Sequence, residues 1–138
     1  MVLNALDKSN YLKGMLVLMK KRYTIEETID RTVKYMTELL DFNQAIIDES
    51  IKALMTNNSI ADDPPTFSDF QIAESFLKDG IHVVFLDGTL NFKQIDWLIN
   101  TAKINNFSEQ WIFIELEEYY YKHELNENTS FEIQKFLN

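Results

Sequence analysis

Carboxylates are the side chains best placed to do chemistry here, and their spacing decides which chemistry is open to them. Glu26 and Glu27 follow Thr24, and Asp87 precedes Gly88. A hard divalent cation takes about six to eight oxygen ligands, most of them clustered along one loop. Asp87 with Asn91 supplies too few, and the chain has no EF-hand loop. A divalent-cation site assembled from Glu26, Glu27 and Asp87 is therefore one reading. The other is acids that favour helix N-termini or mark a turn. A second acidic group, Glu115, Glu117 and Glu118, runs into Tyr119, Tyr120 and Tyr121. Paired carboxylates catalyse proton transfer only inside a cleft that shifts their pKa. Tyrosines beside exposed acids suit a protein interface instead, since the rigid ring is apolar with a polar tip. The candidate partner surface is Glu115, Glu118, Tyr120 and Tyr121, with Tyr119 expected to pack inward.

Other catalytic arrangements lack their parts. His82 and His123 stand far apart and form no His-x-x-x-His pair. The serines lie in no nucleophile-elbow context, three scattered glycines build no phosphate loop, and there is no cysteine. No catalytic residue and no cofactor is expected, a divalent cation being the alternative.

The charge distribution bears on partners. The chain of 138 residues carries a formal net charge of -9. Residues 1–60 balance eight basic against eight acidic side chains, whereas residues 61–138 hold five basic and fourteen acidic. Such a surface repels phosphate backbones, so no nucleic-acid partner is expected; the cluster Lys20-Lys21-Arg22 reads as a solvated helix end. No apolar run approaches the length of a membrane span, and even residues 80–86 are interrupted by His82, which argues against membrane insertion. The N-terminus lacks the pattern of a signal peptide, and the absence of cysteine fits a reducing compartment, so a cytoplasmic location is expected.

Helices must position these groups. Glycine occurs at 14, 80 and 88 only and proline at 64 and 65 only, too little punctuation for a sheet protein. Leu12, Met15, Leu16 and Met19 space as one buried face of a first helix, capped by Asp7 or Ser9. Thr24 to Glu27 forms a capping box for a second helix through Ile25, Ile29, Val33, Met36 and Leu40. A third starts near Asn43 and buries Ile46, Ile47, Ile51 and Leu54. Residues 56–67 form a linker broken by both prolines. Ser68 to Gln71 is a second capping box, opening a helix through Ile72, Ala73, Phe76, Leu77, Gly80 and Val84 that ends at Asp87-Gly88. Thr89 or Asn91 starts the next, with Ile95, Leu98, Ile99 and Ala102 inward, and Ser108 caps one through Trp111, Ile112, Glu115 and Tyr119. Residues 122–138 form a polar tail with a short apolar end at Phe136 and Leu137.

Displacing the sequence by 65 residues lays 11–54 over 76–119 without a gap. Tyr11 meets Phe76, Leu12 meets Leu77, Leu16 meets Ile81, Met19 meets Val84, and Phe42 meets Phe107. A shared helix phase alone would not keep three helices and two connections in step. The expectation is one domain, residues 1–138: an all-α orthogonal bundle of about six to seven helices, built from two pseudo-twofold halves.

The segment Leu86-Asp87-Gly88-Thr89-Leu90, an Asp-Gly between two helices, and the opening from Leu6 to Gly14 resemble the TerB-like, tellurite-resistance family over roughly residues 5–120. The resemblance implies an all-helical domain of two related halves. It also implies either divalent-metal binding or an adaptor role in membrane-associated stress systems. The chain departs from the family pattern where it has Gln94 in place of a frequent acid. Lys21-Arg22-Tyr23 occupies the matching linker of the first half, although Glu26 and Glu27 remain. The functional expectation is a non-enzymatic helical interaction or adaptor domain with a protein partner, stress-related on the strength of the resemblance. The alternatives are a divalent-metal-binding stress protein and an enzyme with an acidic site that motifs do not reveal.

Overall fold

The computed structural model describes residues 3–24, 26–28, 30–31, 49, 62–85, 90–123 and 132. Four helices are bounded among them: α1 (Ala5–Lys20), α2 (Phe70–Phe85), α3 (Phe92–Ile104) and α4 (Glu109–His123). Residues 26–28 and 30–31 are helical as well, and no strand occurs among the described residues. The architecture is all-α. The helices expected through Ile29 and Leu40 and from Asn43, and most of the first half of the repeat, lie outside the described residues. No described helix is long and apolar enough to cross a membrane.

Helix α1 lies at the centre. Its spacing predicts a single buried face, but Tyr11, Leu12 and the whole run from Gly14 to Met19 are buried. Val17 and Leu18 fill the side that an amphipathic helix would turn to water. Burying each large apolar side chain is worth about 1.5–3 kcal/mol, so this helix supplies a large share of the core. It packs on α2 and α3, and α2, α3 and α4 pack on one another. Two glycines permit the close approaches. A Cβ at Gly14 would lie 2.5 Å from the Phe76 ring and 2.9 Å from the Pro65 ring, and one at Gly80 would lie 2.7 Å from a Leu98 methyl. The Phe76 ring in turn meets Tyr11 edge-on at 5.2 Å between centroids.

The helix starts follow local side-chain chemistry, with two corrections. Asn4, not Asp7 or Ser9, caps α1 by accepting from the Asp7 amide at 2.7 Å. Asp7 is buried one turn in, and its carboxylate accepts from the Ser68 amide at 3.1 Å and the Ser68 hydroxyl at 2.6 Å. With Ser68 committed to Asp7, Asp69 starts α2 instead, accepting from the Gln71 amide at 2.8 Å. Asn91 caps α3 and Ser108 caps α4, as their positions predict. The Thr24 hydroxyl accepts from the Glu27 amide at 3.2 Å and donates to the Glu27 carboxylate at 2.9 Å, closing the expected box side chain to side chain. Between α3 and α4, Asn106 takes a φ of 70°, and the Asn106 and Phe107 amides bond back to the Lys103 and Ala102 carbonyls. This is a Schellman turn with asparagine where glycine is commonest.

Residues 62–67 form an extended strap held from both sides. Lys21 pairs with Asp62 at 3.6 Å, and Asn10 donates to the Thr66 carbonyl at 3.1 Å. From α3, the Trp97 indole N–H donates to the Asp62 carbonyl at 3.1 Å, and Asn105 donates to the Pro65 carbonyl at 2.9 Å.

Gln94 is fully buried, and its Nε2 donates to the Leu18 carbonyl of α1 at 3.0 Å. A carboxylate there would have no proton to give and would carry a buried charge. Gln94→Glu should therefore destabilise the fold by about 2–4 kcal/mol, read as a lowered urea midpoint at pH 7.

Candidate functional site

Helices α3 and α4 each carry more apolar surface than the core takes up. On α3, Trp97, Leu98 and Ala102 are buried against α1 and α2, while Phe92, Ile95 and Ile99 lie on another stripe at i, i+3 and i+7. On α4, Ile112 is buried, and Phe113, Leu116 and Tyr120 repeat the same spacing with Tyr121 beside them. The two stripes form the walls of a groove of about 490 Å³, which Phe85 and Leu90 also line. Its walls stay open to solvent: Phe92 is 80% exposed, Tyr121 69% and Phe113 48%. The charged side chains lining it are Asp96 from α3 and Glu117 from α4, one on each wall.

The floor is fixed by aromatic contacts with α2. Phe85 stacks on Tyr119 with centroids 5.1 Å apart and lies 6.2 Å from the Tyr120 ring. His82 Nδ1 is hydrogen-bonded to the Tyr119 hydroxyl. Half-buried among these rings, Tyr119 is pushed up to about 12 by loss of solvent. A second buried hydroxyl lies deeper. Tyr11 is hydrogen-bonded to the buried Asp79 carboxylate, which also accepts from the Glu132 amide and so ties that residue of the tail to the core. Burial, followed by the Asp79 charge and hydrogen bond, raises the Tyr11 pKa well above its ordinary value. This buried group holds α1, α2 and residue 132 together.

The candidate partner residues divide. Tyr120 and Tyr121 line the groove. Glu118 is exposed beside it and pairs with Lys122 at 3.9 Å. Glu115 is half-buried and feels the charge of Lys78 on α2, which pairs with Glu74 at 3.3 Å. Burial raises the Glu115 pKa against the opposing pull of Lys78, so this acid serves the α2–α4 contact rather than the exposed face. Of the metal candidates, Glu26 and Glu27 are exposed, Glu27 bonded to Thr24, and Asp87 lies outside the described residues. Among the described residues no three His, Asp or Glu side chains come together to hold an ion.

Ile95 and Ile99 are half-buried and pack on the core as expected, with their outer edges on the groove, whereas Phe92 and Phe113 were passed over. The usable signal was surplus: each helix holds more apolar residues than packing on its neighbouring helices takes up. Comparison with protein families, with characterised proteins and with solved structures finds no match to this chain.

Both tyrosine hydroxyls keep their protons above about pH 10, where a free tyrosine ionises. The unfolded chain therefore loses these protons first. The stability they contribute is full below about pH 10; the share from Tyr119 is lost as pH rises through about 12, and the share from Tyr11 as pH rises through its own raised pKa. Urea unfolding at stepped pH should show the midpoint falling across that window, with a shallower fall in Tyr119→Phe.

Proposed function

We propose that the chain is a non-enzymatic helical interaction domain that holds a protein partner along the α3–α4 groove. The observation that carries this reading is the pair of exposed apolar stripes, one per helix, at i, i+3 and i+7. Monomeric surfaces seldom expose contiguous apolar patches of this kind without using them. A buried small-molecule site encloses most of its ligand. A groove this open, with Phe92 80% and Tyr121 69% exposed, would leave a small molecule largely in water, whereas it suits a partner that brings its own apolar surface.

The adaptor reading accords with the TerB-like resemblance, from which a stress-related role also follows. We propose with it that the domain consists of two related halves. In support, Tyr11 and Phe76, Leu12 and Leu77, Leu16 and Ile81, and Met19 and Val84 are all buried at matching positions of α1 and α2.

The test uses a synthetic helical peptide of about 18 residues with leucines at i, i+3, i+4 and i+7 and uncharged glutamines elsewhere. Calorimetry should detect binding to the wild-type chain and at least about a tenfold loss in Phe92→Ser/Tyr121→Ser. These side chains are mostly exposed, so the double variant should melt within a few degrees of wild type. Equal binding by variant and wild type would overturn the groove as the docking surface.

A further inference from the structure

Resting on that reading, we infer that the groove takes a basic amphipathic helix from a different protein, with its apolar stripe between α3 and α4 and flanking lysines or arginines against Asp96 and Glu117. Two of the acids near this face already have cations: Glu118 pairs with Lys122 at 3.9 Å and Glu109 with Lys103 at 3.5 Å. Asp96 and Glu117 have no ion-pair partner among the described residues. Lys93, three residues before Asp96, is not within ion-pair distance of it. One free carboxylate therefore stands on each wall, exposed at the edge of apolar surface. A ligand that is apolar along its centre and cationic on both flanks satisfies the groove and its edges together.

The length fits as well. Phe92 and Ile99 lie seven positions apart on α3, about 10 Å along the axis, which matches two turns of a bound helix. A second copy of the chain is a poor occupant through the same face. Twofold pairing would set Asp96 and Glu117 against their own duplicates in a protein of net charge -9. The chain's own tail is unsuited too: residues 124–138 carry three acids and one lysine, and Glu132 is already bonded by its amide to Asp79.

Three peptides with the same leucine stripe and flanks of lysine, glutamine or glutamate separate the possibilities. At low salt the lysine peptide should bind about five- to tenfold more tightly than the glutamine peptide, and the glutamate peptide more weakly than both. In Asp96→Asn/Glu117→Gln the lysine peptide should fall to the affinity of the glutamine peptide, whose own binding should not change. Raising salt should remove the same advantage. Equal affinity of the lysine and glutamate peptides would overturn the basic partner while leaving the groove as a docking surface. Failure of all three peptides would overturn the groove itself. Sedimentation of the free chain as a dimer that the lysine peptide cannot dissociate would instead assign the face to a second copy.

Discussion

A helical run that is apolar on every side cannot face water anywhere, and α1 contains such a run from Gly14 to Met19. The rest of the fold follows from enclosing it. Gly14 lets Phe76 and Pro65 come against the α1 backbone, and Gly80 lets Leu98 come against α2. Gln94 reaches from α3 to the Leu18 carbonyl, and Asp79 reaches from α2 to Tyr11. Each of these polar contacts fixes the register of one surrounding helix against the central one. A buried polar group left unpaired costs about 1–3 kcal/mol, so the register in which they pair is strongly preferred.

Because α1 is enclosed by its neighbours, α2, α3 and α4 can be read face by face. The inner faces cover α1 and each other. The outer stripes of α3 and α4 remain, and they are apolar where solvation alone would favour charge. Phe85, Tyr119 and His82 brace the base of this surface against α2, so its two walls are held at a fixed separation without bound partner. Such preorganisation lowers the ordering cost of association. The two free carboxylates add direction, since they attract cations during approach and are screened once salt is high.

Much of this was legible in the sequence. Helix periodicity, sparse glycine and the capping asparagine and serine at 91 and 108 point to the observed helices α2, α3 and α4. The burial of α1 was only half legible, because Leu12, Met15, Leu16 and Met19 define one face while Val17 and Leu18 declare themselves only when tertiary neighbours cover them. Asp7 and Ser68 each looked like a cap. Their mutual hydrogen bond, between residues 61 apart in sequence, is invisible to local rules and moves both caps to neighbouring residues. The same holds for the site. Tyr120 and Tyr121 stood out by composition, whereas Phe92 and Phe113 carried no reading until the packing showed which apolar stripe the core had used. Glu115 is half-buried within reach of the charge of Lys78, which stands on another helix and which spacing along α4 cannot reveal.

The account stands or falls on where a partner helix lies, and a paramagnetic label on the lysine-flanked peptide measures that directly. With a nitroxide at its centre, amide signals of residues 92–99 and 113–121 should broaden selectively, while those of residues 11–19 in the enclosed α1 stay sharp. Broadening centred on α1 or α2, with α3 and α4 unaffected, would contradict the assignment of the groove and with it the functional reading of the fold.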